Sequence, residues 1–327
     1  MRLAEIAVAL SGRLEGPDRE VARLAAPDQA QPGDLVAIRE ARWLAPALEA
    51  RAAVVVDEAT VLPEGTSAVR VASVAAVWPR LLDLFAWEDD WGKGVHPTAW
   101  VEPGAEIAPT ASVGAFACVR RGAVVGPGAV VGPYAYVGED CRVEAGAVLE
   151  PRVTLHRGTV VGPRCRVMAG AVIGAAGFGF QDGQRLMHTG RVVLEEGVEV
   201  GPQAVIERSV VGEARVGAHT KIGGAVYVGH NARIGRGVVI VSQTGLGGSV
   251  TLEDGVILAG QVGVADHVTV GAGARVGAKG GVTKNVPPGE TWGGVPARPL
   301  REYWRRLALL DRLEELLKRL KEGQRDG

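Results

Sequence analysis

Aromatic residues are scarce in this chain. Phe, Trp and Tyr make up 5% of 327 residues, with four Phe and four Tyr. A core built on large rings is thereby excluded. Cysteine is also rare: Cys118, Cys141 and Cys165 are the full set, with no C-x-x-C spacing. That pattern excludes a disulfide framework and a zinc ribbon. The net charge of -1 offers no basic surface for nucleic acid or for an anionic membrane. No apolar run reaches the roughly 18 residues of a membrane span. The stretch MRLAEIAVALSGRLEG lacks the apolar centre of a signal peptide. A soluble cytoplasmic protein is the expectation. Glycine is abundant, at 47 residues, yet no collagen-like G-x-y period accompanies it.

What is present is a count in sixes. Val95, Val101, Ile107, Val113, Val119, Val125, Val131, Val137, Val143, Leu149, Leu155, Val161, Val167 and Ile173 form one ladder. Val216, Ile222, Val228, Ile234, Ile240, Leu246, Leu252, Leu258, Val264, Val270, Val276 and Val282 form a second. A hexapeptide period marks a parallel β-helix, with three short strands and 18 residues per coil. The aliphatic residue points inward, and the glycines that often follow it are expected to serve the turns. About ten coils should fit between residues 95 and 285.

Residues 1–92 do not follow this period. Strand-like runs (DLVAI, AAVVVDE, AVRVAS) alternate with helix-like ones, as in a small α/β domain. The polar run EDDWGKG closes it, and the β-helix is expected over 93–285. The period is read as breaking once, over GAAGFGFQDGQRLMHTGRV (174–192), which should loop outward with Asp182-Gly183 as a hairpin turn. Residues 286–327 read as a C-terminal helical extension of about 20 helical residues. Pro296 and Pro299 set its start, and Leu307, Leu310, Leu313 and Leu317 form a stripe.

Function on such a scaffold must come from a site. Two of the six histidines have suggestive positions. His230, in YVGHNARIG, and His267, in GVADHVTVG, are 37 residues apart, close to two coils. Both should lie near one edge of the prism, roughly 10 Å apart along the axis. One coil after His230 stands Gly248, whose N–H no side chain covers. A histidine base beside an exposed N–H suits acyl transfer: one takes a proton, the other stabilises an oxyanion.

The ladder, GAAGFGF, VGHN, AGQVGVADHVTVG, VPPGETWGGVPARP and a final helix with Trp304 occur in that order. So does QPGDLVAIREARWLAPALEARAAVVVDE near the start. Together these motifs resemble the UDP-3-O-(3-hydroxyacyl)glucosamine N-acyltransferases of lipid A biosynthesis, over nearly the whole chain. The resemblance implies a left-handed β-helix, a homotrimer with sites between neighbouring solenoids, and no bound cofactor or metal. It implies a 3-hydroxyacyl donor on the phosphopantetheine of acyl carrier protein. By the same resemblance His230 is the general base, Gly248 the oxyanion donor, and His267 the second histidine at the acyl donor. Asn231 keeps the family's His-Asn pair. Trp43, in the uridine-binding domain 1–92, is the candidate for stacking on uracil, and Phe178 and Phe180 line the substrate site.

Two positions depart from the family pattern. Gly223 stands where an acidic residue is usual, seven before the catalytic histidine, and Glu207 occupies the acidic place of the usual IDRG, here IERS. Arg39-Glu40 replaces an Asn-Pro pair. A carboxylate restored at position 223 is expected to raise the rate. Three other readings stay open: a sugar-nucleotide N-acyltransferase using a short acyl-CoA, a metal-dependent hydratase, and a scaffold that has lost catalysis.

Overall fold

The computed structural model describes residues 1–87, 92–315 and 317. The chain divides into two compact units, residues 1–90 and 91–327. The polar run expected to separate them lies mostly outside the described residues.

The first unit is a four-stranded sheet with three helices. Its elements are α1 (Leu3–Ala9), β1 (Arg13–Glu15), β2 (Leu35–Ala37), α2 (Leu44–Glu49), β3 (Ala53–Asp57), β4 (Ala68–Val71) and α3 (Val74–Leu84). The strand order is β1-β4-β3-β2. Strands β2, β3 and β4 run parallel, while β1 is antiparallel to β4. Val54, Val55 and Val56 are fully buried because both faces of β3 are covered, which is why that strand is continuously apolar. One face packs on Leu3, Ile6 and Leu81, the other on Ala47 and the flank of Trp43.

The second unit is a parallel β-solenoid of about ten coils, with three faces of 9, 12 and 10 strands. Partners are 18 residues apart, as in Val125↔Val143 and Val131↔Leu149. The aliphatic ladder is inside: Val119, Val131, Val137 and Leu149 are fully buried. A second inward row stands two residues before it, in the small residues Ala117, Ala123, Ala129, Ala135 and Ala147. Cys141 and Cys165 occupy this row, which explains two of the three cysteines as small apolar side chains. Thr159, Thr220 and Thr244 also occupy it, each donating its hydroxyl to a backbone carbonyl.

The glycine that follows many of the aliphatic residues has a different role from the one its position suggested. At Gly132 a Cβ would lie 2.7 Å from the Leu149 carbonyl oxygen of the next coil. Coil-to-coil approach, not turning, excludes a side chain there. The turn itself places the residue three before the aliphatic in left-handed backbone, and Asn231, Ser249 and His267 adopt it on successive coils (φ 61°, 58° and 58°).

The ladder breaks twice. The expected excursion is present, with a two-stranded hairpin pairing Gln181 with Gln184 across Asp182-Gly183. A second break follows Ile206. Ten positions, not six, separate it from Val216, so Val205 pairs with Tyr227, 22 residues on. The solenoid also runs past residue 285. Thr291–Gly293 pairs with Arg275 and Val276, and buried Trp292 closes the end of the core. The final helix, α4 (Leu300–Asp311), follows Pro299. Leu310 is exposed on it, Leu313 and Leu317 are exposed beyond its end, and, of the expected helix, residue 316 and the stretch from 318 lie outside the described residues.

Candidate active site

His230 sits in the turn after Tyr227–Val228, with its backbone fixed from the preceding coil: its N–H donates to Glu207 Oε2 at 2.9 Å. Its imidazole Nδ1 lies 3.0 Å from Asn231 Oδ1. That oxygen also accepts the Val210 N–H at 3.0 Å, so it is the carbonyl end of the amide. Facing an acceptor, the neutral ring must carry its proton on Nδ1, which leaves Nε2 with a free lone pair. The orienting group is therefore an amide oxygen rather than a carboxylate.

The ring lies over Gly248. A Cβ at that position would stand 2.7 Å from both Nε2 and Cε1 of His230. Glycine is required here because the imidazole occupies the space a side chain would take. Among the described residues none accepts a hydrogen bond from the Gly248 N–H. A ring nitrogen with a lone pair thus lies against a glycine whose N–H has no acceptor among the described residues.

His267 stands one turn further along the same edge. Its N–H donates to the Gly248 carbonyl at 2.9 Å, and the Ser249 N–H donates to the His230 carbonyl at 2.7 Å. Asn231, Ser249 and His267 hence stack in one row, with His267 displaced by one residue from the row of His230. Its side chain is exposed.

Gly223 has no room for the acidic residue of the family pattern. A Cβ there would lie 2.6 Å from the Ser242 backbone nitrogen. The carboxylate near His230 is Glu207, 3% exposed. Its Oε1 accepts the Phe178 N–H at 3.2 Å and also the Tyr227 hydroxyl. Burial, then the carboxylate of Glu207, push the Tyr227 phenol up to about 12, so it remains a donor.

The inserted segment covers this cluster. Gly177 passes so close that a Cβ would lie 2.7 Å from His188 Nε2, 2.9 Å from Glu207 Oε2 and 3.0 Å from His230 Cβ. His188 is 6% exposed, with its ring edge-on to His230 at a centroid distance of 5.3 Å. Its Nδ1 meets the Leu186 carbonyl at 3.1 Å, and its buried Nε2 has no hydrogen-bond partner among the described residues. Phe178 and Phe180 project beyond, 82% and 54% exposed, packed edge to face.

Sequence spacing brought together His230, Gly248, Asn231 and His267. It missed Glu207 as a contact of His230, along with His188 and Val210. These three lie in or beside the two breaks, where no period relates sequence to space. The GAAGFGF glycines were the one available signal, since a loop so poor in side chains must let something else approach.

Trp43 is in the first unit, half-buried, and lines a cleft of about 640 Å³ with Arg39, Glu40, Asp57, Ser73 and Trp78. Arg42 lies over the Trp43 ring at 5.2 Å, and Arg39 over Trp78 at 5.4 Å.

No family model matches the chain. Its fold is that of solved acyltransferases. The structure of Arabidopsis UDP-N-acetylglucosamine acyltransferase superposes with a TM-score of 0.59 at 24% identity, covering 62% of this chain and 72% of that one. The Francisella novicida UDP-N-acetylglucosamine acyltransferase gives 0.51 at 25% identity, over 63% and 69%. Among sequences, the chain is 52% identical over 147 residues to an Azorhizobium caulinodans protein named UDP-3-O-acylglucosamine N-acyltransferase, spanning 44% of this chain and 41% of that one. A protein of the same name from Oleidesulfovibrio alaskensis is 43% identical over 330 residues, 100% of this chain and 96% of the relative. Its counterpart in Methylococcus capsulatus is 32% identical over 94% of this chain and 90% of its own. With end-to-end similarity of that extent and a histidine poised over a bare glycine on a hexapeptide solenoid, the chain belongs to the UDP-3-O-acylglucosamine N-acyltransferase family.

Proposed function

We propose that this chain moves a 3-hydroxyacyl group from the phosphopantetheine thioester of acyl carrier protein to the 2-amine of a UDP-3-O-acylglucosamine, a step in lipid A biosynthesis. The observation that carries the reading is the pairing of His230 Nε2, a free lone pair, with the unused N–H of Gly248. The amine nitrogen attacks the thioester carbonyl while His230 Nε2 takes its proton. The carbonyl oxygen gains charge, which the Gly248 N–H stabilises. The intermediate then collapses, the C–S bond breaks, and the thiol leaves with the proton that His230 held. An amide and a free phosphopantetheine thiol result, and His230 is neutral again. His267, on the same edge, assists at the donor.

The exposed rings of Phe178 and Phe180 offer apolar surface to an acyl chain beside the base. The cleft of the first unit suits a uridine, with the Trp43 indole as a stacking platform. A homotrimer in the cytoplasm is part of the same reading. No helix among the described residues is long and apolar enough to cross a membrane. The test is incubation with 3-hydroxyacyl-acyl carrier protein and the UDP-linked amino sugar, with mass spectrometry of the product. An added acyl mass on nitrogen supports the reading. Transfer only from a short acyl-CoA would favour the alternative donor. UDP titration followed by tryptophan fluorescence should give weaker binding in Trp43→Ala, and equal affinity would remove Trp43 from the nucleotide site.

A further inference from the structure

The vacancy at position 223 raises the question of what supports positive charge on His230. Once the ring takes the amine proton it is an imidazolium, and Asn231 meets it only with a neutral oxygen. We propose that Glu207 is the positioning residue for His230, holding its backbone and supplying the negative charge that stabilises its protonated form. This inference rests on the reading of His230 as the base.

Geometry supports it in three ways. Glu207 is buried, so its charge is poorly screened by solvent. Its Oε2 is bound to the N–H of His230 itself. Among the described residues three donors meet its two oxygens: the N–H groups of Phe178 and His230 and the hydroxyl of Tyr227. Among the described residues, the other groups in contact with the base carry no negative charge. Its own coil presents Tyr227, kept protonated, and Asn231. The insertion presents His188, and the next coil presents Gly248. Asp266 belongs to the second coil on, against Gly247.

Glu207 also couples the base to the insertion. One oxygen holds Phe178 in the loop while the other holds His230. The position of the loop and the alignment of the base therefore share one side chain. Its place after Ile206 is the slot that glycine fills after many other ladder residues. The second break in the ladder follows directly, leaving room for a side chain there.

The test compares the parent with Glu207→Gln and Glu207→Asp. Loss of the charge disfavours the imidazolium, so the acid limb of the kcat/KM profile should move to lower pH by about one unit in Glu207→Gln. The maximal rate should fall about tenfold with a weaker base, with acceptor KM little changed. Glu207→Asp keeps the charge one carbon further back, and its limb should fall between the other two. Histidine NMR, with the His230 signal assigned through His230→Ala, should show the same order without any need for turnover. An acid limb and a His230 titration unchanged in a folded Glu207→Gln would overturn the proposal. Should that variant fail to fold, parent against Glu207→Asp decides: a shift to lower pH supports the role and an unchanged profile refutes it. If the parent transfers no acyl group, the functional reading fails, while the NMR titration still reports on the coupling.

Discussion

An amide oxygen, not a carboxylate, sets the tautomer of His230. The sequence pattern suggested that an acid restored at Gly223 would improve the base. The structure reverses that expectation, because a Cβ at 223 runs into the backbone of Ser242. Gly223→Asp should cost about 1–3 kcal/mol of stability and give no gain in rate, as thermal unfolding and turnover measured together would show. Gly248→Ala should be damaging for a related reason. Its methyl would enter the space of the His230 ring, and a displacement of about 1 Å is enough to lower kcat about 100-fold. Steady-state kinetics with near-parental acceptor KM would confirm displacement of the base, whereas an unchanged kcat would show that the ring can move aside. The residues legible from sequence were those that the 18-residue register relates: His230 and Gly248 in one row, and His267 in the neighbouring row of Asn231 and Ser249. Glu207, Val210 and His188 were not, since each is held against the base by chain that leaves the register.

At the scale of the coil, one hexapeptide carries two inward positions, and only the larger was evident from the pattern. The second row was hidden because alanine, valine, cysteine and threonine share its slots. It has a chemical consequence. Burial pushes the thiols of Cys141 and Cys165 up to about 11. Both therefore stay protonated at neutral pH and should resist alkylation until their coils open, as labelling across a urea series would reveal. Their folded pKa values lie above the unfolded ones. The stability this reflects is fully present below about pH 9 and is lost as pH rises from 9 towards 11, on the order of 2 kcal/mol per thiol. The Cys141→Ala, Cys165→Ala double variant should lose less stability than the parent across that window. Equal losses would mean that the thiols do not titrate with unfolding.

For the molecule as a whole, the repeat made the solenoid legible, since a stacked coil contacts only its neighbours and the same constraint recurs every six residues. The α/β unit had no such redundancy, and only its class could be read. Where the solenoid ends was also obscure: Trp292 closes the core from a segment that breaks the period. The functional account predicts a homotrimer, so light scattering at micromolar concentration should return three times the chain mass; a monomer would contradict it. The most direct test of the central claim is the rate of acyl transfer from 3-hydroxyacyl-acyl carrier protein to UDP-3-O-acylglucosamine in the parent and in His230→Ala. An active parent and a loss of about 100-fold or more in kcat, with acceptor KM nearly unchanged, is the predicted result. A parent rate that survives the substitution, or a parent with no transfer at all, would contradict it.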